Sequence, residues 1–505
     1  MPDTPRSSRF RLTSVEPIKH LRHSHGVDFQ GARWTAVWLT LLTVGAALLR
    51  LLYLTGEGLT ADEGFSVFLA RTTPDSFRHI AWQAEFNMVL YYEVLRAWAH
   101  LGRSEFLIRL LSVLFAAATV PVVYFLGARL FNRSTGLIAC LLLAIHPAHV
   151  MLSQRARSYP LVILLVALSS LFFLRLLQRP TGGNSAAYAV LSAAAVYSHI
   201  FAALVIVAQF LSLIFVRTKP LPFRALLISL VLMTALLTPM GIFLIHNRAG
   251  GQVGWVADLS VQQALSVLYS LTLSRERSLF YVLLWAAGIW GGVKTHAEDT
   301  QWSYWFVAIW LFVPPVITAA VSVVKPVLMA RFLAVCLPAS MLLAAAGLHQ
   351  LAHWSRVVAL VLLLLIIFHS ATAIRSYIRT LRTGEDWRGA TAYLLTTVAD
   401  GDLVVMEPYR RHTFDYYREI RGGISPTFAA ADSLSAPLPK PFPKHVWYLA
   451  SVFFNPYWKG DKPGAAENEV RSFLAEHRQS YCSVTLYTAF SPVDLWRFTR
   501  CGDSP

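Results

Sequence analysis

Long apolar runs alternate with short polar segments over residues 34–374, and this alternation is the main feature of the sequence. Runs of about 18 or more mostly apolar residues are long enough to cross the hydrocarbon core of a bilayer as helices. The pattern therefore predicts a polytopic α-helical membrane protein with about eleven transmembrane helices. The predicted spans lie near residues 34–54, 107–130, 135–152, 160–177, 186–198, 200–216, 223–245, 279–292, 303–323, 327–348 and 355–374.

The basic residues between the spans indicate the orientation. If the N-terminus is cytoplasmic, the even-numbered loops fall inside, and these loops carry the excess of arginine and lysine that cytoplasmic loops show. The residues concerned are Arg129, Arg133, Arg175, Arg179, Arg217, Lys219, Arg224, Lys294 and Arg356. Residues 186–216 decide this arrangement, because counting them as one span inverts every later loop. We therefore predict two short helices hinged at Ser198-His199, with the N-terminus inside and the C-terminus outside.

Three regions follow from this topology. Residues 1–33 form a basic cytoplasmic tail, and residues 34–374 form the transmembrane domain, whose first outer loop, 55–106, has amphipathic stretches typical of interfacial helices. Residues 375–505 predict a soluble extracytoplasmic α/β domain. Its predicted strands are 402–406, 445–451 and 483–487, and its predicted helix is 467–476. Cys482 and Cys501 both fall here, and the sequence leaves open whether they pair as a disulfide.

The composition agrees with a membrane protein and changes the interpretation of the charge. Hydrophobic residues make up 55% of the chain and charged residues 14%, well under the usual share in soluble domains. A net charge of +16 would indicate nucleic-acid binding in a soluble protein. Here it reflects cytoplasmic loops and contact with anionic membrane lipids, so no nucleic-acid partner is predicted.

Carboxylates at the outer membrane boundary are the first candidates for chemistry. The chain has only 28 Asp and Glu residues, yet Asp62 and Glu63 stand together just after the first span, and Glu85 follows in the same loop. Ionisable groups beside a bilayer are costly and are usually functional. Two structural alternatives stay open, namely Asp62 as the N-cap of a helix beginning near Glu63, and Glu63 as a first-turn partner of the helix dipole.

Four basic residues fall on the outer side, where the charge rule predicts few. They are Arg155, Arg157, Lys325 and Arg331, the last about one turn inside a predicted span. A guanidinium at that depth requires an anionic partner or a water-filled cavity, and its planar fork suits a phosphate. The alternative for these residues is that they reach out to lipid headgroups.

Carboxylates and cations on one face of the membrane fit group transfer from a lipid phosphate. Carboxylates deprotonate an acceptor or hold a divalent cation, and arginine or lysine neutralises the departing phosphate. A transporter or lipid-linked sugar flippase is one alternative, although transporters place such residues near the middle of the bilayer. A non-catalytic envelope assembly protein that acts through its external domain is another.

Several short motifs occur in a specific order along residues 34 to about 420. They are Asp62-Glu63, Glu85 ahead of Leu90-Tyr91-Tyr92, Phe106-Leu107-Ile108-Arg109-Leu110, Arg155-Ala156-Arg157-Ser158-Tyr159-Pro160-Leu161, Val196-Tyr197-Ser198-His199, Arg331-Phe332-Leu333 and Glu385-Asp386-Trp387-Arg388-Gly389. In this order they resemble the polyprenyl-phosphate-dependent glycosyltransferases of the GT-C fold. The chain is most similar to the bacterial branch of glycosyltransferase family 39, which is related to protein O-mannosyltransferases and lipid A aminoarabinose transferases.

The resemblance implies an inverting transfer of a sugar from a polyprenyl-phosphate donor to a protein, lipid or glycan acceptor outside the cytoplasmic membrane. Asp62 matches the catalytic acid of the first loop, with Glu63 in support, and Glu85 matches a second acid that is tied to a divalent metal ion in some relatives. The residues expected to bind the donor phosphate are Arg155, Arg157, Lys325 and Arg331, and those expected to contact substrates are Tyr91, Tyr92, Tyr159 and His199.

One departure from the family pattern concerns Glu85. The chain has Asn87-Met88-Val89 where many relatives have two prolines between the second acid and the tyrosines. This difference loosens the match around Glu85 and the metal expectation that depends on it. The identities of the sugar and the acceptor do not follow from the sequence.

Overall fold

A computed structural model describes residues 29–216, 220–247, 256–273, 277–295, 297–381, 384–422, 429–451, 464–490 and 492–502. Residues 1–28, most of the predicted cytoplasmic tail, lie outside this set. Each predicted span corresponds to helical structure. The helices as far as the last span are α1 (Phe29–Leu51), α2 (Ala61–Arg71), α3 (Pro74–Ile80), α4 (Val89–Trp98), α5 (Glu105–Leu130), α6 (Arg133–Ala144), α7 (Pro147–Ser153), α8 (Tyr159–Gln178), α9 (Gly182–Ser198), α10 (Ala202–Ser212), α11 (Phe223–His246), α12 (Val261–Leu271), α13 (Ser278–Lys294), α14 (Glu298–Ser322), α15 (Leu337–Trp354) and α16 (Arg356–Leu381).

Seven helices in the described part of the chain are long and apolar enough to cross a membrane, namely α1, α5, α8, α11, α14, α15 and α16. Helices α6 and α7 form an eighth candidate span if they are counted together, although the chain bends by 58° at the short break between them. Helices α10 and α13 are apolar but shorter. The protein is therefore a multi-pass membrane protein, whereas the count of eleven spans and their orientation stay predictions.

The centre of the helical domain is α15, which is almost completely buried, while α1, α11 and α16 expose most of their apolar surface. A helix that is apolar on all sides packs either inside a protein or against lipid, and both cases occur here. Close approach at α15 depends on a glycine, because a Cβ at Gly347 would lie 2.0 Å from the carbonyl oxygen of Leu284 in α13. Small residues allow such helix contacts in membranes.

Two predicted spans have breaks that matter for the site. Residues 186–216 form two helices, α9 and α10, that meet at His199, as expected from the charge pattern. The span predicted at 327–348 corresponds to Ala330–Trp354, which begins with a 3₁₀ segment, Ala330–Cys336, and continues as α15. Arg331 therefore lies in this 3₁₀ segment and not inside an α-helix.

A five-stranded mixed sheet follows the last span, and α16 extends to Leu381, beyond the predicted boundary at 374. The elements of this C-terminal region are α17 (Trp387–Thr397), β1 (Leu403–Val405), α18 (Pro408–Arg421), β2 (Ala429–Ala431), β3 (His445–Ser451), α19 (Ala465–Glu476), β4 (Tyr481–Tyr487) and β5 (Val493–Arg500). The strand order is β2-β1-β3-β5-β4, with β1 parallel to β2 and β3, and β5 antiparallel to β3 and β4. The predicted strands and helix are confirmed.

Both faces of the central strand β3 are covered, which explains its continuous apolar sequence. Trp447 and Leu449 share a core with α17 and α18, while Val446 and Tyr448 pack with α19 on the opposite face. Cys482 and Cys501 form a disulfide that ties the edge strand β4 to the end of β5. The open question of their pairing is thus answered in this structure.

The C-terminal region packs on residues 55–106, the predicted first outer loop, through a close contact of α18 with α2. A Cβ at Gly64 would lie 2.1 Å from Oγ1 of Thr413, so only glycine permits this approach. The hydroxyl of Tyr417 accepts a hydrogen bond from the backbone N–H of Leu59 and donates one to Glu105, each at 2.6 Å. Residues far apart in sequence therefore meet beside the Asp62-Glu63 pair.

Candidate functional site

Asp62 lies in the first turn of α2, and it is not the N-cap of this helix. The N-cap is Thr60, whose backbone N–H and hydroxyl both donate to the Glu63 carboxylate at 3.1 Å. Thr60 and Glu63 thus occupy the two positions of a capping box, which leaves the Asp62 side chain available for other contacts. The capping alternative for Asp62 therefore does not describe this structure.

Three residues from distant parts of the chain surround the Asp62 carboxylate. Arg331 Nη1 donates to Oδ2 at 3.2 Å, and the Tyr409 hydroxyl donates to Oδ1 at 2.6 Å. Arg157 Nε lies 4.0 Å from Oδ2, and Arg157 Nη1 donates to the Asp62 carbonyl oxygen and to Ser66 Oγ, each at 3.3 Å. Within the described residues, Arg157 Nε has no hydrogen-bond acceptor. This Nε is buried and lies closest to Asp62, while the Arg157 side chain as a whole lines the cavity described next.

These groups open onto a cavity of about 920 Å³ between the helical domain and the C-terminal region. The predicted site residues that line it are Asp62, Glu85, Arg157, Tyr159, His199, Lys325 and Arg331. Apolar side chains from α10, α11 and α14 form much of the remaining wall. A mostly apolar cavity with a few convergent polar and charged groups is the usual form of a ligand site.

Aromatic rings form one wall of this cavity. The His199 ring lies 5.1 Å from the Phe332 ring and 5.7 Å from the Tyr159 ring, between centroids. The break between α9 and α10 places His199 there, because the helix ends and exposes the side chain toward the cavity. Tyr159 and His199 thus both line the cavity, and their contact with a substrate stays a prediction.

Glu85 lies at the end of a π-helical turn, Ala81–Glu85, that precedes a 3₁₀ turn and α4. Its carboxylate accepts a hydrogen bond from the Tyr92 hydroxyl at 3.0 Å. Burial raises the pKa of the Glu85 carboxyl, and the charge of Arg157 and the Tyr92 hydrogen bond offset only part of this effect. Tyr92 therefore supports Glu85 from behind and does not itself line the cavity.

Glu63 has a different environment from the one expected of a catalytic residue. It is fully buried and outside the cavity, and Arg109 Nε and Nη2 donate to its two oxygens at 2.8 Å each. The backbone N–H of Ala156 donates to the same carboxylate at 2.9 Å. Because the hydrogen-bonding capacity of Glu63 is used by the protein, its role is revised from catalysis to joining α2, α5 and the segment before α8.

Arg155 and Tyr91 also differ from expectation. Arg155 Nη2 donates to Glu57 at 2.6 Å and Nη1 to Glu63 at 3.4 Å, so its guanidinium is held by two carboxylates away from the cavity. Tyr91 is completely buried in the helical core. The expected phosphate contact of Arg155 and the substrate contact of Tyr91 are therefore replaced by structural roles.

The charges around Asp62 keep its carboxyl ionised. Burial alone would raise the pKa of Asp62, but the positive charges of Arg157 and Arg331 and the hydrogen bond from Tyr409 lower it below its ordinary value. Asp62 is therefore an anion at neutral pH, poised to accept a hydrogen bond. The pKa of Asp62 is lowered and the pKa of Glu85 is raised, and both carboxyl groups line one cavity. Carboxyl groups with shifted pKa values in a shared cavity mark a candidate active site.

The sequence did not predict the roles of two residues that contact the Asp62-Glu63 pair, Arg109 and Tyr409. Arg109 is a charge within the α5 span, and the argument applied to Arg331 would have predicted an acidic partner for it. Tyr409 has no comparable signal, because it reaches Asp62 only through the packing of α18 on α2. Other polar residues lining the cavity that were not predicted are Gln83, Asn87, His246, Asn247 and Thr318.

The residues around Glu85 do not form a set that fits a metal ion. In the described ranges there is no cluster of three or more His, Cys, Asp or Glu side chains. One oxygen of Glu85 already accepts from Tyr92, and the other cavity carboxylate, Asp62, is paired with Arg331. A divalent metal ion at Glu85 stays a prediction from the resemblance, and the mechanism below does not depend on it.

Comparison with known proteins finds a family model that matches part of the chain and solved structures with a similar fold. Residues 89–238 match the family model described as dolichyl-phosphate-mannose-protein mannosyltransferase. The crystal structure of ArnT from Cupriavidus metallidurans bound to undecaprenyl phosphate has a TM-score of 0.58 with this chain at 12% identity, covering 93% of this chain and 99% of that one. The chain has the GT-C fold.

Two further solved structures are similar to this chain. ArnT from the same organism in the apo state matches with a TM-score of 0.58 at 13% identity, covering 93% of this chain and 98% of that one. AglB, the oligosaccharyltransferase of Archaeoglobus fulgidus, in complex with an inhibitory peptide and a dolichol-phosphate, has a TM-score of 0.49 at 14% identity, covering 82% of this chain and 62% of that one. A search of curated proteins finds no match.

Proposed function

We propose that this protein is a glycosyltransferase that moves a sugar from a polyprenyl-phosphate donor to an acceptor on the outer face of the cytoplasmic membrane, with inversion at the anomeric carbon. The observation that carries the proposal is the cavity in which Asp62 lies beside Arg157 and Arg331. A phosphate and a nucleophile have to meet at one carbon atom, and this cavity brings cations and a carboxylate to the same place. The undecaprenyl phosphate bound by ArnT, whose fold is shared, supports a lipid phosphate as ligand.

In the proposed reaction, a hydroxyl or amine of the acceptor attacks the anomeric carbon of the donor sugar. The bond from that carbon to the phosphate oxygen breaks, and its electron pair leaves with the polyprenyl phosphate. The proton of the acceptor passes to Asp62, and Arg157 and Arg331 stabilise the charge that develops on the phosphate. Lys325, which lines the same cavity, adds a further positive charge.

Donor binding would also increase the basicity of Asp62. In the structure the two arginines lower the pKa of Asp62, which makes its carboxylate a weak base. A phosphate that pairs with Arg157 and Arg331 neutralises part of this positive charge, and the pKa of Asp62 then rises. Asp62 would thus become a better proton acceptor when the donor is in place.

The outer location of the site belongs to the same proposal. A cytoplasmic N-terminus, an extracytoplasmic 375–505 region and basic loops inside are mutually consistent. The Cys482–Cys501 disulfide supports an oxidising compartment for the C-terminal region, since structural disulfides are rare in the cytosol. Asp62 would then face the periplasmic side of the membrane, or its equivalent.

The decisive experiment compares Asp62→Asn with Asp75→Asn in a strain that lacks the protein. Asp75 lies in the same outer loop, but its side chain is almost fully exposed and pairs with Arg78. Mass spectrometry of envelope lipids, glycans and proteins first identifies the sugar modification that the deletion removes. We expect Asp62→Asn to lose about 1,000-fold of this activity at normal membrane levels, and Asp75→Asn to restore the modification.

Full restoration by Asp62→Asn would contradict the proposed mechanism. Loss of restoration in both variants would show that the loop, and not the Asp62 carboxylate, is required. Movement of a lipid-linked sugar across proteoliposome membranes without a covalent product would instead support a flippase.

A further inference from the structure

Tyr409 is the residue of the C-terminal region that reaches the Asp62 carboxylate. Its hydroxyl lies 2.6 Å from Asp62 Oδ1, and its ring stacks on Phe65 of α2 with 5.6 Å between centroids. The side chain lines the cavity, while 40% of the residue surface is exposed. Tyr409 therefore lies at the rim, between the cavity and the outside.

The position of Tyr409 is fixed by the packing of the helix that carries it. Tyr409 follows Pro408 at the start of α18, and the same helix contacts α2 at Gly64 through Thr413. One turn further on, Tyr417 bonds to Leu59 and Glu105. Because these contacts hold α18 along its length, the phenol is presented to Asp62 by a preformed interface and not by a mobile side chain alone.

The two oxygens of Asp62 face different partners. Oδ2 faces the cations, with Arg331 at 3.2 Å and Arg157 at 4.0 Å, while Oδ1 faces the Tyr409 hydroxyl. A donor phosphate approaching the arginines would occupy the Oδ2 side. The Oδ1 side, at the rim, is then left for the hydroxyl or amine of the acceptor.

We propose that Tyr409 is a positioning residue of the transferase: its phenol orients the Oδ1 edge of Asp62 toward the entering acceptor, so that the C-terminal region completes a site built mainly by the membrane domain. This inference rests on the proposed function. The acceptor group would share Oδ1 with the phenol or take its place. The hydrogen bond from Tyr409 also lowers the pKa of Asp62, in the same direction as the arginines.

The test compares Tyr409→Phe with Tyr416→Phe. Both substitutions remove one hydroxyl from α18 and keep the ring. The Tyr416 hydroxyl donates to the Arg103 carbonyl oxygen at 2.8 Å and lies outside the cavity. Turnover is measured as the envelope modification formed over time in isolated membranes of the deletion strain, from pH 8 down to below the ordinary pKa of an aspartate, about 3.9. Binding is measured with undecaprenyl phosphate as the probe and the purified full-length protein in nanodiscs.

We expect Tyr409→Phe to lower turnover by about 10-fold or more, because a hydrogen bond to a charged group is lost. Its affinity for undecaprenyl phosphate should change by less than about threefold, since the arginines remain. The acidic limb of its pH profile should move to higher pH, because one contact that lowers the Asp62 pKa is gone. Tyr416→Phe should keep the wild-type turnover and pH profile.

The pH readout depends on the whole charged environment of Asp62. The groups that influence its carboxyl, apart from Tyr409, are Arg157 before α8, Arg331 in the 3₁₀ segment, Glu63 in α2 and Glu85 before α4. None of these is altered in either variant. A shift of the acidic limb in Tyr409→Phe alone therefore reports the contact of Tyr409 with Asp62.

Two results would overturn the inference. Wild-type turnover and an unshifted acidic limb in Tyr409→Phe would show that the phenol does not position Asp62. Equal losses in Tyr409→Phe and Tyr416→Phe, with the acidic limb unshifted, would show that α18 acts only by packing. An active Asp62→Asn variant would contradict the proposed function itself, whereas an inactive Asp62→Asn beside a Tyr409→Phe variant with wild-type turnover and an unshifted acidic limb would contradict only this inference.

Discussion

Asp62 and Glu63 are neighbours in sequence, yet they occupy opposite environments. Asp62 is partly exposed in a large cavity and contacts groups from three distant segments. Glu63 is fully buried, and Arg109 binds it through two hydrogen bonds while Ala156 supplies a third. Successive residues of a helix point about 100° apart, so one carboxylate faces the cavity and the other the protein interior.

The difference shows which carboxylate is able to take part in chemistry. A buried ion pair whose hydrogen bonds are all used is costly to disturb and has nothing left to offer a substrate. A carboxylate held by two arginines beside an open cavity exchanges partners when an anionic ligand enters. Asp62 and Glu63 are both acidic, but only Asp62 is able to exchange its hydrogen-bond partners for a ligand. This difference separates the candidate catalytic residue from the residue that supports the fold around it.

The largest expected effect is on stability, in Glu63→Gln. This change keeps the shape of the side chain but leaves the buried charge of Arg109 uncompensated, which costs about 3–5 kcal/mol. We expect a large fall in the thermal unfolding temperature of the detergent-solubilised protein, and in its yield. Asp62→Asn serves as the comparison and should lower the unfolding temperature much less, because the Asp62–Arg331 pair is partly exposed at the cavity whereas the Glu63–Arg109 pair is buried.

A Glu63→Gln variant with normal stability and lost activity would reverse the comparison, since Glu63 would then act in chemistry. Normal stability and normal activity would show that Arg109 finds other partners. Its three backbone acceptors, the carbonyl oxygens of Leu54, Glu57 and Gly58, are the candidates for this compensation.

A second expected effect separates Arg157 from Arg155 in the same short segment. Arg157→Gln should weaken undecaprenyl phosphate binding by about 10- to 100-fold, because a charged contact facing the cavity is lost. Arg155→Gln should change this affinity by less than about threefold, since Arg155 is held by Glu57 and Glu63. Binding to purified protein in nanodiscs, measured at one salt concentration, checks both expectations.

If Arg155→Gln weakens binding as much as Arg157→Gln, the phosphate site extends beyond the cavity described here. Equal binding by both variants and the wild type would place the phosphate at another group of cations, with Arg331 and Lys325 as the next residues to replace. Comparing Arg155→Gln with Arg157→Gln thus tests whether an arginine of this segment must face the cavity in order to bind the phosphate.

Much of the fold was predictable because membrane spans and amphipathic helices leave strong local patterns. The break at His199 followed from the charge of later loops, and Asp62, Arg157 and Arg331 followed from charges in unfavourable places. Sequence alone could not separate Asp62 from Glu63, since the direction of each side chain depends on how α2 is oriented. It also could not reveal Tyr409, which meets Asp62 across 347 positions of the chain through one helix interface.

The smallest expected effect is the dependence of activity on pH near neutrality. The folded-state pKa of Asp62 is lowered, so its carboxylate is charged above its ordinary pKa and is protonated only as the pH falls through the lowered value. We expect kcat/KM to be flat near neutral pH and to fall about tenfold per pH unit only in the acidic limb. Arg331→Gln removes one charge that lowers this pKa, so its acidic limb should lie at higher pH.

The pKa of Glu63 is lowered more strongly by Arg109, so brief acidification should abolish activity before it breaks this ion pair. Activity that recovers fully on return to neutral pH would agree with this order. If the folded protein is lost irreversibly at the same pH at which activity falls, both carboxylates titrate together.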